Sequence, residues 1–346
     1  MLKVAICGGS GYTGGELLRI LSQHPKVKVT AVTSERSAGK KVTELFPSLH
    51  TYVQTEFEPL IQEKVIKKAD LFFLALPHAA SQSAVDYFFQ NGKKVVDLSA
   101  DYRLNDPLIY EEWYKVPHNY KKALKKAVYG LPELHKNKIK KSSLIANPGC
   151  YPTSAILGLY PALKYKMINT DTIVIDSKSG TSGAGRKASV DFSFCEVNEG
   201  FKAYGIATHR HTPEIEQEIS LIAKKNITVN FTPHLLPVSR GILTTIYASL
   251  IKNTDTKEML DMFKKTFVNE PFVKVFDENI LPNINSVKGT NFCEIGLKVN
   301  TRTNTLIIVS AIDNLVKGAA GQAVQNMNLI MGFNEDEGLK ELSVFP

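Results

Sequence analysis

The sequence predicts an α/β protein in two parts: a doubly wound parallel sheet first, then an α+β domain with a mixed or antiparallel sheet. Three observations predict it. Short apolar runs alternate with helical patterns over the first 148 residues. A glycine-rich turn, Gly9-Ser10-Gly11-Tyr12-Thr13-Gly14, joins the first such run to the first such helix. After Asn147-Pro148-Gly149, strand-like segments outnumber helical ones. At 346 residues the chain also exceeds one ordinary core.

The elements follow in order. Residues 2–7 form an apolar strand, and Glu16-Leu17-Leu18-Arg19-Ile20-Leu21 opens a helix. Between them the glycines are spaced G-x-G-x-x-G. Gly9 allows a tight turn, Gly11 lets backbone approach a pyrophosphate, and Gly14 lets the helix pack close to the strand. This is the Rossmann arrangement, and the helix N-terminus adds N–H groups and a positive dipole end for phosphates. Residues 27–32 read as a second strand after His24-Pro25. The unbroken apolar run 71–76 reads as a strand buried on both faces, and 95–98 as a shorter one. Val85, Phe88 and Phe89 stand at helical spacing between these two. Beyond the change of character, strands are expected at 172–176, 227–231, 243–248 and 305–309. A long helix is expected over 315–327, carrying the small-residue run Gly318-Ala319-Ala320-Gly321, which permits close approach of another backbone.

Composition narrows the function. Apolar residues make up 43% and charged residues 22%, as in ordinary globular chains. No apolar stretch reaches the ~18 residues a membrane-spanning helix needs. The chain passes from Met1 directly into a strand, without a hydrophobic leader. Cys7, Cys150, Cys195 and Cys293 lie far apart without C-x-x-C spacing, which argues against zinc and disulfides and suits a reducing cytoplasm. The net charge is +8, but the lysines are scattered in doublets and no nucleic-acid motif accompanies them. A positive field that draws in small anions is the better reading, and no nucleic acid, membrane or metal is expected.

The end of the second strand bears on the choice of cofactor. An acidic residue there accepts hydrogen bonds from ribose hydroxyls in NAD-specific folds. Here the chain reads Thr33-Ser34-Glu35-Arg36-Ser37, with Lys40 and Lys41 behind. Ser34 and Arg36 suit a 2′-phosphate, which favours NADP(H) and requires Glu35 to point away. Cys150 follows Asn147-Pro148-Gly149 and precedes Tyr151-Pro152-Thr153, with Pro152 suited to a first helical turn. A cysteine at a helix start gains a favoured thiolate, the reactive form, and the same N–H groups suit an oxyanion. Cys7, Cys195 and Cys293 fit the ordinary role of small buried apolar residues.

The heptapeptide Asn147-Pro148-Gly149-Cys150-Tyr151-Pro152-Thr153 resembles the active-site motif of the N-acetyl-γ-glutamyl-phosphate reductase branch of the semialdehyde dehydrogenase superfamily. The resemblance runs through nearly the whole chain. It includes the glycine turn from Gly8, Leu76-Pro77-His78, Val96-Asp97-Leu98-Ser99-Ala100-Asp101-Tyr102-Arg103 and Tyr129-Gly130-Leu131-Pro132-Glu133. It continues through Ser179-Gly180-Thr181-Ser182-Gly183-Ala184-Gly185-Arg186, His209-Arg210-His211-Thr212-Pro213-Glu214-Ile215 and Asn314-Leu315-Val316-Lys317-Gly318.

The resemblance implies that NADPH reduces N-acetyl-L-glutamyl 5-phosphate to the 5-semialdehyde with release of phosphate, through a thioester on Cys150, in arginine biosynthesis. It also implies that the last helix returns to the first domain. The NADP-binding domain is then 1–148 with 313–346, and 149–312 is the catalytic, substrate and oligomerisation domain of a dimer or tetramer. His209 and His211 are the acid/base candidates, one for proton transfer and the other to orient substrate with Glu214. Thr212 is expected to cap the helix that Pro213 begins. Arg103 is the first candidate for the substrate phosphate, with Lys178 and Ser182 behind it. Asn314 is a candidate for the nicotinamide amide. Three rivals remain open. They are aspartate semialdehyde dehydrogenase, a reductase of an N-blocked aminoadipyl phosphate one methylene longer, and a non-catalytic NADP-sensing regulator.

Overall fold

A computed structural model describes residues 1–344. The chain divides into two compact units. The first is Met1–Pro148 with Ala319–Lys340; the second is Gly149–Gly318 with the tail that starts at Glu341.

The sheet of the first unit contains β1 (Leu2–Cys7), β2 (Val27–Thr33), β3 (Phe57–Glu58), β4 (Leu71–Leu74), β5 (Lys94–Asp97), β6 (Val128–Tyr129) and β7 (Leu144–Ala146). Their spatial order is β3-β2-β1-β4-β5-β7-β6, and every pairing is parallel. Purely parallel sheets need cover on both faces, and all four residues of β4 are fully buried. The apolar run stops short of the expected residue 76. β4 ends at Leu74, and just beyond it the Ala75 carbonyl oxygen lies where a Cβ on Gly8 (φ +87°) would come within 2.4 Å of it. Strand order reverses between β1 and β4. Ligands of open α/β sheets collect beyond the strand ends at such a reversal, where the glycine turn sits.

The sheet of the second unit is mixed. It contains β8 (Val174–Ser179), β9 (Lys202–Ala203), β10 (Asn230–Leu235), β11 (Ile242–Ser249), β12 (Val273–Val275), β13 (Cys293–Asn300) and β14 (Thr305–Ile312), in the order β12-β13-β14-β11-β8-β10-β9. The expected strand 172–176 begins later, because Asn169 caps a 3₁₀ turn over Thr170–Thr172 by accepting the Asp171 N–H. The one expected at 227–231 begins at Asn230. The long helix expected over 315–327 is also different: a π-helical turn, Val316–Ala320, precedes the α-helix Gly321–Met331.

The helix Cys150–Lys164 packs on one face of this sheet. A Cβ on Gly158 would come within 3.0 Å of Ile246, so the glycine sets the approach. Buried hydroxyls stitch the layers together. Ser154 Oγ pairs with Thr244 Oγ1 at 3.0 Å and Ser310 Oγ at 2.7 Å, and Ser177 Oγ with Thr244 Oγ1 at 2.9 Å. Each hydroxyl therefore has at least one partner inside the protein.

Candidate active site

In the first unit the three glycines of the turn play three roles. A Cβ on Gly9 would collide with Val32 at 2.3 Å, and one on Gly14 would stand 2.6 Å from the backbone of Gly9. Those two hold strand, turn and helix together. At Gly11 a Cβ would meet only the Gly8 carbonyl oxygen, at 3.9 Å. Gly11 is the N-cap of the helix Tyr12–Ser22 and supplies no side-chain cap. The first N–H groups of that helix therefore face a cradle without a Cβ, which fits a pyrophosphate.

The end of β2 fits a phosphorylated ribose. Ser34 Oγ donates to Ser10 Oγ at 2.8 Å and accepts the Ser37 N–H, tying this loop to the glycine turn. Glu35 turns aside, as an NADP site requires, and accepts the Leu60 N–H at 2.9 Å. Arg36 is exposed beside it.

The second unit carries the cysteine. Cys150 is the first residue of its helix and is partly exposed, with Gly149 as N-cap. Gly149 is held from outside the helix, since its N–H donates to Glu214 Oε1 at 2.8 Å. Cys7 and Cys293 are buried, and burial pushes the Cys7 thiol up to about 12. Cys195 departs from the buried role expected of it: it is exposed, on the short helix Phe194–Val197.

Both histidines gather around Tyr151. Its ring stands edge-on to His209 at 5.4 Å and to His211 at 5.8 Å, and the two imidazoles are 4.9 Å apart. Tyr204 and Phe231 complete an aromatic cage around His209, at 5.6 and 5.4 Å. Burial, reinforced by the Arg210 charge, pushes His209 down to about 4. It is neutral at pH 7. The His211 backbone N–H donates to His209 Nδ1 at 3.1 Å. The proton of neutral His209 is therefore on Nε2, which makes that atom a donor. Helix Thr212–Ala223 begins one residue before Pro213, with His211 rather than Thr212 as N-cap. The sequence missed Tyr204 and Phe231: they reach His209 only through tertiary folding.

Four further candidates are placed as follows. Glu214 is 1% exposed and accepts the Gly149 N–H, so it positions the cysteine turn. Lys178 lies on the sheet face opposite Ser177, and hence away from the cysteine helix, paired with Asp176 at 2.8 Å; strand alternation sends it there. The buried Asn314 amide accepts the Gly241 N–H and donates to Ser182 Oγ, both at 2.8 Å. It fixes the turn around Ser182. Arg103 is buried, and it donates through Nε to the Asn147 carbonyl at 2.8 Å and through Nη2 to the Leu98 carbonyl at 2.9 Å. Nearby, Asp101 accepts the Tyr110 hydroxyl and the Ala79 and Ser81 N–H groups, and Asp106 caps the helix Pro107–Tyr114.

Among the described residues no His/Cys/Asp/Glu cluster could hold a metal ion, and no helix is long and apolar enough to cross a membrane.

Comparisons with known proteins agree with this geometry. A model of the semialdehyde dehydrogenase NAD-binding domain matches residues 3–142, and one of the semialdehyde dehydrogenase dimerisation domain matches 150–314. The chain is 56% identical over 347 aligned positions to N-acetyl-gamma-glutamyl-phosphate reductases of Geobacter metallireducens and Geobacter sulfurreducens, with all of each chain covered. It is 50% identical to the reductase of Pelotomaculum thermopropionicum, with 100% of this chain and 99% of that one covered. Its fold is similar to aspartate semialdehyde dehydrogenase II of Vibrio cholerae, at TM-score 0.72 and 18% identity over 96% of this chain and 98% of that one. It is equally similar to an aspartate semialdehyde dehydrogenase from Candida albicans solved with NADP, at TM-score 0.72 and 16% identity with the same coverage.

Proposed function

The chain belongs to the N-acetyl-gamma-glutamyl-phosphate reductases of the semialdehyde dehydrogenase family, and from that premise we propose how its own residues perform the reaction. The enzyme reduces N-acetyl-L-glutamyl 5-phosphate to N-acetyl-L-glutamate 5-semialdehyde and phosphate with NADPH, a step of arginine biosynthesis. The observation that carries the mechanism is Cys150 at the first position of a helix, beside a residue whose ring contacts both histidines.

The Cys150 thiolate attacks the acyl carbon, a carbon–sulfur bond forms, and the carbon–oxygen bond to phosphate breaks. This divides one difficult displacement into two easier ones. His209 donates from Nε2 to the acyl oxygen, where negative charge grows in the tetrahedral transition state. His211 is left as the acid/base group: it takes the thiol proton and later protonates the oxygen of the reduced carbon. Bound NADPH supplies the hydride that reduces the thioester carbon. The thiohemiacetal on Cys150 then returns its hydroxyl proton to His211 as the carbon–sulfur bond breaks, which frees the aldehyde and restores the thiolate. Gly11 and the N–H groups of Tyr12 and Thr13, in the turn that Gly9 and Gly14 pack closed, would hold the pyrophosphate, while Ser10, Ser34 and Arg36 would define the 2′-phosphate end. For the substrate phosphate, Arg103 remains the candidate, its plane set by two backbone carbonyls. Ser182, oriented by Asn314, stands second.

The matching dimerisation domain supports assembly into a dimer or tetramer. Four free cysteines suit a reducing cytoplasm. The test of substrate is phosphate-dependent oxidation of N-acetylglutamate semialdehyde, its aminoadipate homologue and aspartate semialdehyde side by side. The first should exceed the others in kcat/KM by at least the ~10-fold that one methylene confers. A higher value for either rival contradicts the assignment.

A further inference from the structure

Gly318 lies against the nucleophile. A Cβ built on it would stand 2.7 Å from Cys150 Cβ, 3.2 Å from Cys150 Cα and 3.4 Å from the Asp313 carbonyl oxygen. Carbon atoms in contact settle near 3.5–4.0 Å. The nearest of these atoms belong to the root of Cys150 rather than to a flexible tip, so any side chain at 318 displaces the cysteine or the turn itself.

That turn is built to stay where it is. Gly318 falls within the π-helical turn Val316–Ala320, an element rare in proteins and concentrated at functional sites. Its N–H donates to the Asp313 carbonyl at 2.9 Å. The Asp313 carboxylate, fully buried, accepts the N–H groups of Leu315 at 2.8 Å, Val316 at 3.2 Å and Gly289 at 2.7 Å, and pairs with Arg240 at 3.4 Å. Asn314 ties the same segment to Gly241 and Ser182. The side chain of Lys317, next to the glycine, is fully buried, its ammonium 5.6 Å from the Phe272 ring. A rigid wall therefore ends at the Cα of Gly318. On the chain just before the cysteine, Glu214 holds the Gly149 N–H.

We infer that Gly318 is a positioning residue for the reaction: the Asp313-anchored turn is a fixed stop that sets where Cys150 stands at the head of its helix. The inference rests on Cys150 being the nucleophile. Its physical content is that attack needs the sulfur within a few tenths of an ångström of its line of approach, and a displacement of about 1 Å can cost about 100-fold in rate.

The test is Gly318→Ala in the full-length enzyme. Three quantities are read: kcat and KM for the acyl phosphate, the rate of iodoacetamide alkylation at Cys150 resolved by peptide mass from that at exposed Cys195, and Tm. A displaced nucleophile predicts kcat down about tenfold or more with KM within about threefold. It also predicts an altered alkylation rate at Cys150 and an unchanged one at Cys195. A variant that keeps kcat and the Cys150 alkylation rate overturns the inference. Cys150→Gly, which removes the opposing Cβ, keeps the idea testable if Gly318→Ala folds poorly. In that background Gly318→Ala should lose less than half the Tm it loses with Cys150 present. An equal loss in both, or failure to fold in both, also overturns it. Wild-type enzyme that forms no acyl group on Cys150 removes the nucleophile reading instead, so the two failures are distinct.

Discussion

The backbone N–H of His211 donates to Nδ1 of His209 at 3.1 Å, so one histidine of the pair fixes the tautomer of the other. His209 is held neutral, its value pushed down to about 4 by burial and by Arg210. A group whose folded pKa lies below its unfolded one stabilises the fold above the unfolded value, near 6.5, and that contribution is lost as pH falls through about 4. His209→Gln should therefore lose less Tm than wild type between pH 6.5 and 4, a difference on the order of 2–3 kcal/mol. Parallel melting profiles would refute it. At neutral pH the variant should lose about 100-fold or more in kcat.

The buried Asp97 gives the opposite slope. Desolvation, with the Asp101 charge next, pushes it up to about 6, while Ser81 and Ser99 hydrogen-bond its oxygens. A raised carboxyl stabilises fully below its unfolded value, near 3.8, and loses that contribution as pH rises through about 6. Asp97→Asn should remove this component, so that the variant gains stability relative to wild type on going from pH 5 to pH 8. Thermal melts at the two pH values check it, and an unchanged difference contradicts it.

The glycines of the first turn should separate. Gly14→Ala forces a Cβ to 2.6 Å from the Gly9 backbone and should destabilise the protein by about 1–3 kcal/mol. Gly11→Ala meets little protein and should keep its Tm while losing NADPH affinity about tenfold or more. Calorimetry with NADPH titration tests both. Equal behaviour of the two variants would mean that the cradle is not where the pyrophosphate sits.

Arg36→Ala should weaken NADPH about tenfold or more and NADH less than about twofold, since one charge-assisted contact contributes about 1.5–3 kcal/mol. Glu35→Gln should leave the NADPH/NADH ratio unchanged, because its carboxylate is directed to Leu60. A ratio that moves further toward NADPH with Arg36 intact would place Glu35 at the ribose instead.

Local features were legible in the sequence. The order strand, glycine turn, helix needs only neighbours in the chain, and so does a cysteine ahead of Pro152. The register of β8 was not legible, because the 3₁₀ turn capped by Asn169 delays the strand. β13 went unread although Cys293-Glu294-Ile295-Gly296-Leu297-Lys298-Val299 alternates in period two. What local pattern does not contain is partnership at long range: Tyr204 with His209, Glu214 with Gly149, Gly318 with Cys150. The run Gly318-Ala319-Ala320-Gly321 signalled a close approach but not to what.

The central claim is that Cys150 is acylated on the pathway. Its most direct test is rapid-quench mass spectrometry of the enzyme mixed with N-acetyl-L-glutamyl 5-phosphate in the absence of NADPH. The account predicts one N-acetylglutamyl group per active site, on the peptide containing Cys150, appearing together with released phosphate and discharged to aldehyde when NADPH is added. Phosphate release and aldehyde formation at the normal rate with Cys150 unmodified would contradict it.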